Sequence, residues 1–285
     1  MKYAIEIEGL EKEYDHFKLE DFNLKIPSGM IVGLIGENGA GKTTLIKSIL
    51  NIVQKDKGSI KIFGKDYQEY ESEIKEDIGV VLDDMFFPEV LTAKDISMVM
   101  KDIYKKWDED LFYHYLKEFQ IKDNQTLKTL SKGMRKKLEI ATSLSHHPKL
   151  LILDEATSGL DPVVRSEVLE IFMKFLEDEE HTILLSTHIT SDLEGIADKI
   201  VFVEKGKKLL DMDREKLFND YGILKCESSD FEKIDKEDIV SYKKNKYNVE
   251  VLIKDRKNGK KKYKDFVIDK ITLEELMVLM IKGGK

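Results

Sequence analysis

One cysteine, Cys226, stands among 285 residues, so no disulfide can form within the chain, and a reducing compartment suits it. No apolar run approaches the ~18–20 residues that a membrane-spanning helix needs. The start, Met1-Lys2-Tyr3-Ala4-Ile5-Glu6, lacks the apolar stretch of a signal peptide. These absences predict a soluble, cytoplasmic chain that meets a membrane only through a partner. There is no internal repeat, and no low-complexity tract beyond the lysine-rich stretch 254–264. Positive charge is not in excess either: the net charge is −8, which argues against a general nucleic-acid binder. What is present is 41% hydrophobic residues, enough for a core, in a length that suits one large domain or a domain with a small appendage.

Residues 3–8 alternate, with Tyr3, Ile5 and Ile7 on one face, and read as a strand; Phe22, Leu24 and Ile26 mark a second. Met30 to Ile35 is almost wholly apolar, as expected of a strand covered on both faces in a parallel sheet. A helix is predicted from about Lys42 to Asn51, and strands at 58–63 and 78–82. From about 84 to 147 helical periods replace strand signals: a capped helix from Thr92 to about Tyr104, then helices over 109–119 and 132–146. The alternating pattern returns with the strand Leu150–Leu153 and a helix capped by Asp161 with Pro162 at its first position. The strands Thr182–Ser186 and Lys199–Glu204 follow. Composition shifts near 220. Beyond it lie strand-like runs, Asn258-Gly259 as a hairpin signal, and a closing helix from Thr272 with a capping box to Glu275. The predicted domains are 1–219, with a helical subdomain at about 84–147, and 220–285.

Two motifs carry chemistry. Gly36-Glu37-Asn38-Gly39-Ala40-Gly41-Lys42-Thr43 matches G-x-x-x-x-G-K-[ST] between a strand and a helix. Its glycines let successive N–H groups converge on a phosphate, and the helix N-terminus adds its dipole. Lys42 can reach the β- and γ-phosphates, Thr43 can ligate Mg²⁺, and Thr44 completes the ATP-binding set. The second motif is the strand Leu150-Leu151-Ile152-Leu153, which ends in Asp154-Glu155. Two carboxylates at the end of a buried strand need compensation. A Mg²⁺-nucleotide supplies it, with Asp154 toward the metal and Glu155 as general base for the attacking water.

Beside these motifs the chain resembles the ATP-binding cassette family over about residues 1–219. Leu130-Ser131-Lys132-Gly133-Met134 stands where that family has its LSGGQ-type signature, and Ser158-Gly159-Leu160-Asp161 looks like its D-loop. His188 looks like its switch histidine, and Tyr14 stands where an aromatic stacks on adenine. The resemblance implies an α/β P-loop NTPase core of ABC ATPase type with an antiparallel edge sheet, an inserted helical subdomain and a small C-terminal α+β appendage. It implies head-to-tail pairing with a second nucleotide-binding domain, as homodimer or heterodimer. Ser131 and Gly133 would then meet the partner's γ-phosphate, and His188 would hold that phosphate and the water. It further implies ATP and Mg²⁺ as ligands, a multispan membrane subunit on a separate chain, and a place on the inner face of the cell membrane. Length, the Lys132-Gly133-Met134 variant and the loop at Asp83 look most like bacterial ABC-2 type exporters, including antibiotic-resistance cassettes.

The chain departs from the family pattern in places. Lys132 and Met134 replace the usual glycine and glutamine. Asp83 stands where a glutamine usually serves Mg²⁺, so its metal contact is expected to be indirect. Met85-Phe86-Phe87-Pro88 is apolar for a loop, and in the family this region faces the membrane subunit. Taken alone, Tyr14 reads more often as a strand-end aromatic and His188 as a surface loop histidine. His146-His147 reads as an ordinary helix end, and lysines 254–264 as the solvated face of a hairpin. A cassette acting on DNA or ribosomes would carry zinc cysteines, a coiled coil or two cassettes. A purely regulatory cassette would lack the pair Glu155 and His188.

Overall fold

The computed structural model describes residues 2–83 and 87–284. Two compact units divide it: Met1–Ile189 with Val201–Leu209, and Thr190–Ile200 with Leu210–Lys285.

The first unit opens on β1 (Tyr3–Tyr14) and β2 (Phe17–Pro27), a long antiparallel pair whose register shifts near Leu10 bend it. Next come β3 (Ile31–Ile35), α1 (Lys42–Ile49), β4 (Lys57–Ile62), β5 (Lys65–Asp66), α2 (Tyr67–Glu76) and β6 (Ile78–Val81). The edge sheet runs β2-β1-β4-β5. All five residues of β3 are buried, which is what an unbroken Ile-Val-Gly-Leu-Ile run needs. Helix α2 goes beyond the sequence reading. Asp66 caps it, accepting from the Gln68 N–H at 2.9 Å.

The region read as helical holds α3 (Ala93–Ile103), α4 (Glu109–Glu118) and α5 (Lys132–Leu144). Thr92 and Asp95 form the expected capping box, and Asp108 caps α4. The α/β alternation resumes with β7 (Leu150–Asp154), α6 (Pro162–Phe175), β8 (Thr182–Ser186), α7 (Thr190–Ile196), β9 (Lys199–Glu204) and β10 (Lys207–Asp213). The central sheet runs β10-β9-β3-β8-β7-β6, parallel from β3 through β8 and β7 to β6. This order brings the C-terminal ends of β3, β7 and β8 side by side, where an open parallel sheet binds its ligands.

The second unit adds α8 (Arg214–Asp220), β11 (Tyr221–Cys226), β12 (Ile239–Lys244), β13 (Val249–Lys254), α9 (Arg256–Lys262), β14 (Val267–Lys270) and α10 (Leu273–Lys282). Its sheet is antiparallel, in the order β12-β13-β11-β14. The unit includes α7, and the Leu273 N–H donates to Glu194 at 2.6 Å. The compositional shift near 220 thus lies inside this unit, past Leu210. The hairpin expected at Asn258-Gly259 is instead α9. Asp255, at φ 63°, takes the N–H of Asn258 at 3.1 Å and starts a helix there. Gly259 serves close packing, since a Cβ on it would lie 2.6 Å from Ile253. Lys257, Lys260, Lys261 and Lys262 of this stretch therefore lie on a helix and not on a sheet edge.

Candidate functional site

β3 delivers the glycine loop to the sheet's C-terminal edge. Gly36 passes so close to β9 that a Cβ would lie 2.3 Å from the Val203 carbonyl oxygen. The Ala40 N–H donates to the Glu37 carbonyl at 3.0 Å and tightens the turn. Gly41, at φ 111°, is the N-cap of α1 and offers no side-chain bond to its first turn. A glycine suits that backbone, and it leaves the first N–H groups without a side-chain cap.

Lys42 follows at the first position of α1 and is only 6% exposed. Its Nζ donates to the Gly36 carbonyl at 2.7 Å and the Glu37 carbonyl at 3.3 Å. Burial pushes its ammonium below the ordinary lysine range, opposed by the nearby carboxylates of Glu155 and Asp154. The Thr43 hydroxyl donates to Asp154 Oδ2 at 2.8 Å, across from the end of β7. Asp154 is almost wholly buried, and its Oδ1 has no hydrogen-bond partner among the described residues. A buried carboxylate oxygen left bare is costly unless a cation completes it. The hard oxygen donors of Thr43 and Asp154 fit Mg²⁺.

Glu155 comes next, at φ 53°, in the left-handed region that non-glycine residues seldom adopt. Its N–H donates to the Ser186 carbonyl at 2.8 Å, which locks the turn to the end of β8. Its Oε2 lies 2.7 Å from His188 Nδ1. Residues 33 apart in sequence, beyond adjacent strands, are thus brought into one hydrogen bond.

Lys42, Thr43 and Glu155 open on a cleft of about 740 Å³, whereas Asp154 and His188 are not among its lining residues. Tyr14, Asn38, Gly39, Gly41, Lys42, Thr43, Thr44, Asp83 and Glu155 line it. Gly36, Glu37 and Ala40 shape the loop from behind. Tyr14 is 45% exposed, at the end of β1, with Lys12 Nζ 5.5 Å from its ring centre. Glu13, Asp15, His16 and Phe17 also line the cleft and were missed. The one available signal was their place beside Tyr14 in the short β1–β2 turn.

Ser131 and Gly133 are not among the lining residues. The Ser131 hydroxyl caps α5, accepting from the Met134 N–H at 3.2 Å, and Gly133 lies against Val164. His146 is buried and stacked on Tyr104, with Nε2 3.0 Å from the Ile78 carbonyl, and burial pushes its imidazole down. That matches a helix-end histidine. Met85 and Phe86 of the apolar loop lie outside the described residues.

Comparison with known proteins agrees with this geometry. A family model described as ABC transporter matches residues 19–158. The chain is 35% identical over 215 residues to the bacitracin transport ATP-binding protein BcrA of Enterococcus faecalis, covering 72% of this chain and 68% of that one. It is 35% identical over 224 residues to the lantibiotic transport ATP-binding protein SrtF of Streptococcus pyogenes, covering 75% and 96%. A solved structure described as an ATP-binding subunit of an ABC transporter superposes with a TM-score of 0.68, at 27% identity over 75% of this chain and 91% of that one. The chain therefore belongs to the ABC transporter ATP-binding proteins and is the ATP-hydrolysing subunit of such a transporter.

Proposed function

We propose that the cleft binds ATP with Tyr14 against adenine and the 36–43 loop around the phosphates, and that hydrolysis there drives export through a separate membrane subunit. The observation that carries the site assignment is the pairing of Thr43 with Asp154, whose second oxygen is bare, next to the hydrogen-bonded pair Glu155 and His188. On nucleotide binding, Lys42 exchanges its loop carbonyls for β- and γ-phosphate oxygens. Thr43 and Asp154 would hold Mg²⁺, which would neutralise charge on those phosphates. Glu155 takes a proton from the attacking water, whose oxygen bonds to the γ-phosphorus as the bond to the β–γ bridging oxygen breaks. His188 orients Glu155 and the γ-phosphate. Asp83 would serve that ion through a water.

Ser131 and Gly133 lie outside their own chain's cleft, which supports a role for them at the nucleotide of a second cassette in a head-to-tail dimer. The residues beyond Asn219, all within the second unit, are dispensable for ATP binding, so a chain cut after Asn219 retains it in calorimetric titration. Docking of the membrane subunit is supported by the exposed Val90, Met98, Val99 and Ile103 near a groove of about 150 Å³ that Phe87, Met100 and Tyr104 help line. The export direction is that of the exporter group the chain resembles, and a cargo of the bacitracin or lantibiotic kind is supported by the names of those relatives. The location is the inner face of the cell membrane.

The deciding experiment is co-purification of the tagged chain from its own cells. A multispan partner without an external binding protein is expected. Phe87→Ser should weaken that association and leave hydrolysis by the separate subunit intact. A variant that still assembles normally would move the docking surface elsewhere.

A further inference from the structure

Helix α5 carries a charged pair in a place where charge is costly. Lys136 and Glu139, one helical turn apart, are 5% and 8% exposed, and Lys136 Nζ lies 2.6 Å from Glu139 Oε2. Removing two charges from water is so unfavourable that apolar side chains of similar volume often serve stability as well or better. Packing alone therefore does not account for them. What the pair does in the structure is specific. Lys136 Nζ also donates to the backbone carbonyl of Leu82 at 2.8 Å. Leu82 follows the last residue of β6 and immediately precedes Asp83, which lines the nucleotide cleft. Glu139 and Leu82 both line the groove that Phe87 and Met100 also line.

The pair lies on the helix whose N-cap is Ser131. Burial pushes the Glu139 carboxyl up, Lys136 draws it back, and Asp83 adds to the upward push.

We propose that Lys136 and Glu139 are positioning residues that fix the backbone at Leu82, and with it the direction of the Asp83 carboxylate toward the nucleotide. This rests on the reading of Asp83 as a group that serves the nucleotide's metal ion. The pair does not touch ATP, so it acts on turnover and not on binding. Because Lys136 reaches Leu82 from the signature helix, movement of that helix is transmitted to Asp83.

The test is a double-mutant cycle on the full chain. Lys136→Met removes the donor to Leu82 while keeping an unbranched side chain. It is expected to lower kcat at least about tenfold, as small misplacements near a reacting centre do, with KM for ATP within about threefold. Asp83→Ala should lower kcat by a similar factor. The two together should do no more than either alone, because Lys136 acts through Asp83. Lys136→Gln with Glu139→Gln keeps a donor to Leu82 and removes both buried charges, and should recover most of the lost turnover. Hydrogen exchange at residues 81–83, read without nucleotide, should speed up in Lys136→Met and return in the Gln pair. If Asp83→Ala is inert, the reading of Asp83 fails. If Asp83→Ala lowers turnover but Lys136→Met does not, or if their losses multiply, the positioning role fails. Should Lys136→Met not fold, the Gln pair decides alone: failure to hydrolyse ATP despite normal exchange at 81–83 overturns the proposal.

Discussion

Two stretches of this chain share an outline: a strand that leads into a helix, with glycine and lysine at or near the helix start. One is 31–49 and the other 249–262. In the first, α1 starts at a glycine without a side-chain cap, and Lys42 is buried under its own loop. In the second, the Asp255 carboxylate closes the start of α9. Its lysines face water, and Lys262 pairs with Asp235 and Asp238, which pushes its ammonium up. Burial pushes Lys42 down. The lesson is that lysine and glycine make an anion site only when helix N–H groups are left uncapped and the cation is held where water does not compensate it. A helix start already occupied by its own carboxylate has little left to offer a phosphate.

The largest effect that would sharpen this contrast lies beside the first stretch. Glu155→Gln should lower ATP turnover about 10²–10⁴-fold, the usual share of a general base. ATP binding should persist and hold a dimer together. Phosphate release and size-exclusion chromatography with and without ATP measure the two halves. Lys42→Ala should weaken ATP binding about 10–150-fold, from about 1.5–3 kcal/mol for a charge-assisted contact. Calorimetry with Mg-ATP reads it directly, and unchanged affinity would take Lys42 out of the site.

Smaller effects test the backbone side of the comparison. Gly41→Ala should cost about 1–3 kcal/mol of stability, because alanine is disfavoured at that backbone conformation. The new Cβ would also lie 2.5 Å from the Phe17 ring. Thermal unfolding should therefore shift down, and ATP binding should weaken with it. Asp255→Ala should cost about 0.5–2 kcal/mol through the lost cap and leave ATPase activity alone. Faster hydrogen exchange confined to α9 is the expected sign. Least of all, Lys257→Gln, Lys260→Gln and Lys261→Gln together should change stability by about 0.5 kcal/mol per site or less and leave ATP affinity unchanged. Weaker ATP binding in that triple variant would break the comparison, since it would make the basic helix a contributor to nucleotide binding.

Legibility in the sequence followed burial. Strands β3, β7 and β8 were readable because strands covered on both faces must be apolar throughout. Capping signals located α3, α6 and α10 to within a few residues. Helix α2 escaped because it buries only Tyr67 and Ile74, too few to set a period. Helix α9 escaped because Asn-Gly is a stronger local signal than an aspartate cap one helical turn upstream. In the cleft, the glycine loop and the Asp154-Glu155 pair were plain. Asp15, His16 and Phe17 were not, since a two-residue turn carries no periodic mark. Lys136 and Glu139 were the hardest to foresee. Opposite charges three apart on a helix read as a solvated face, and only the fold shows them buried.

The backbone at Glu155 has a consequence for evolution in the laboratory. Its left-handed conformation is one that asparagine and, above all, glycine accept more readily than glutamate. Selection for heat resistance alone would favour those replacements, which relieve a local conformational cost while deleting the carboxylate next to His188. The most heat-tolerant members of such a library would be enriched in proteins that bind ATP and never release phosphate. Thermostability would thus be a misleading proxy for competence at this position, and a screen that counts surviving fold would discard the working enzyme.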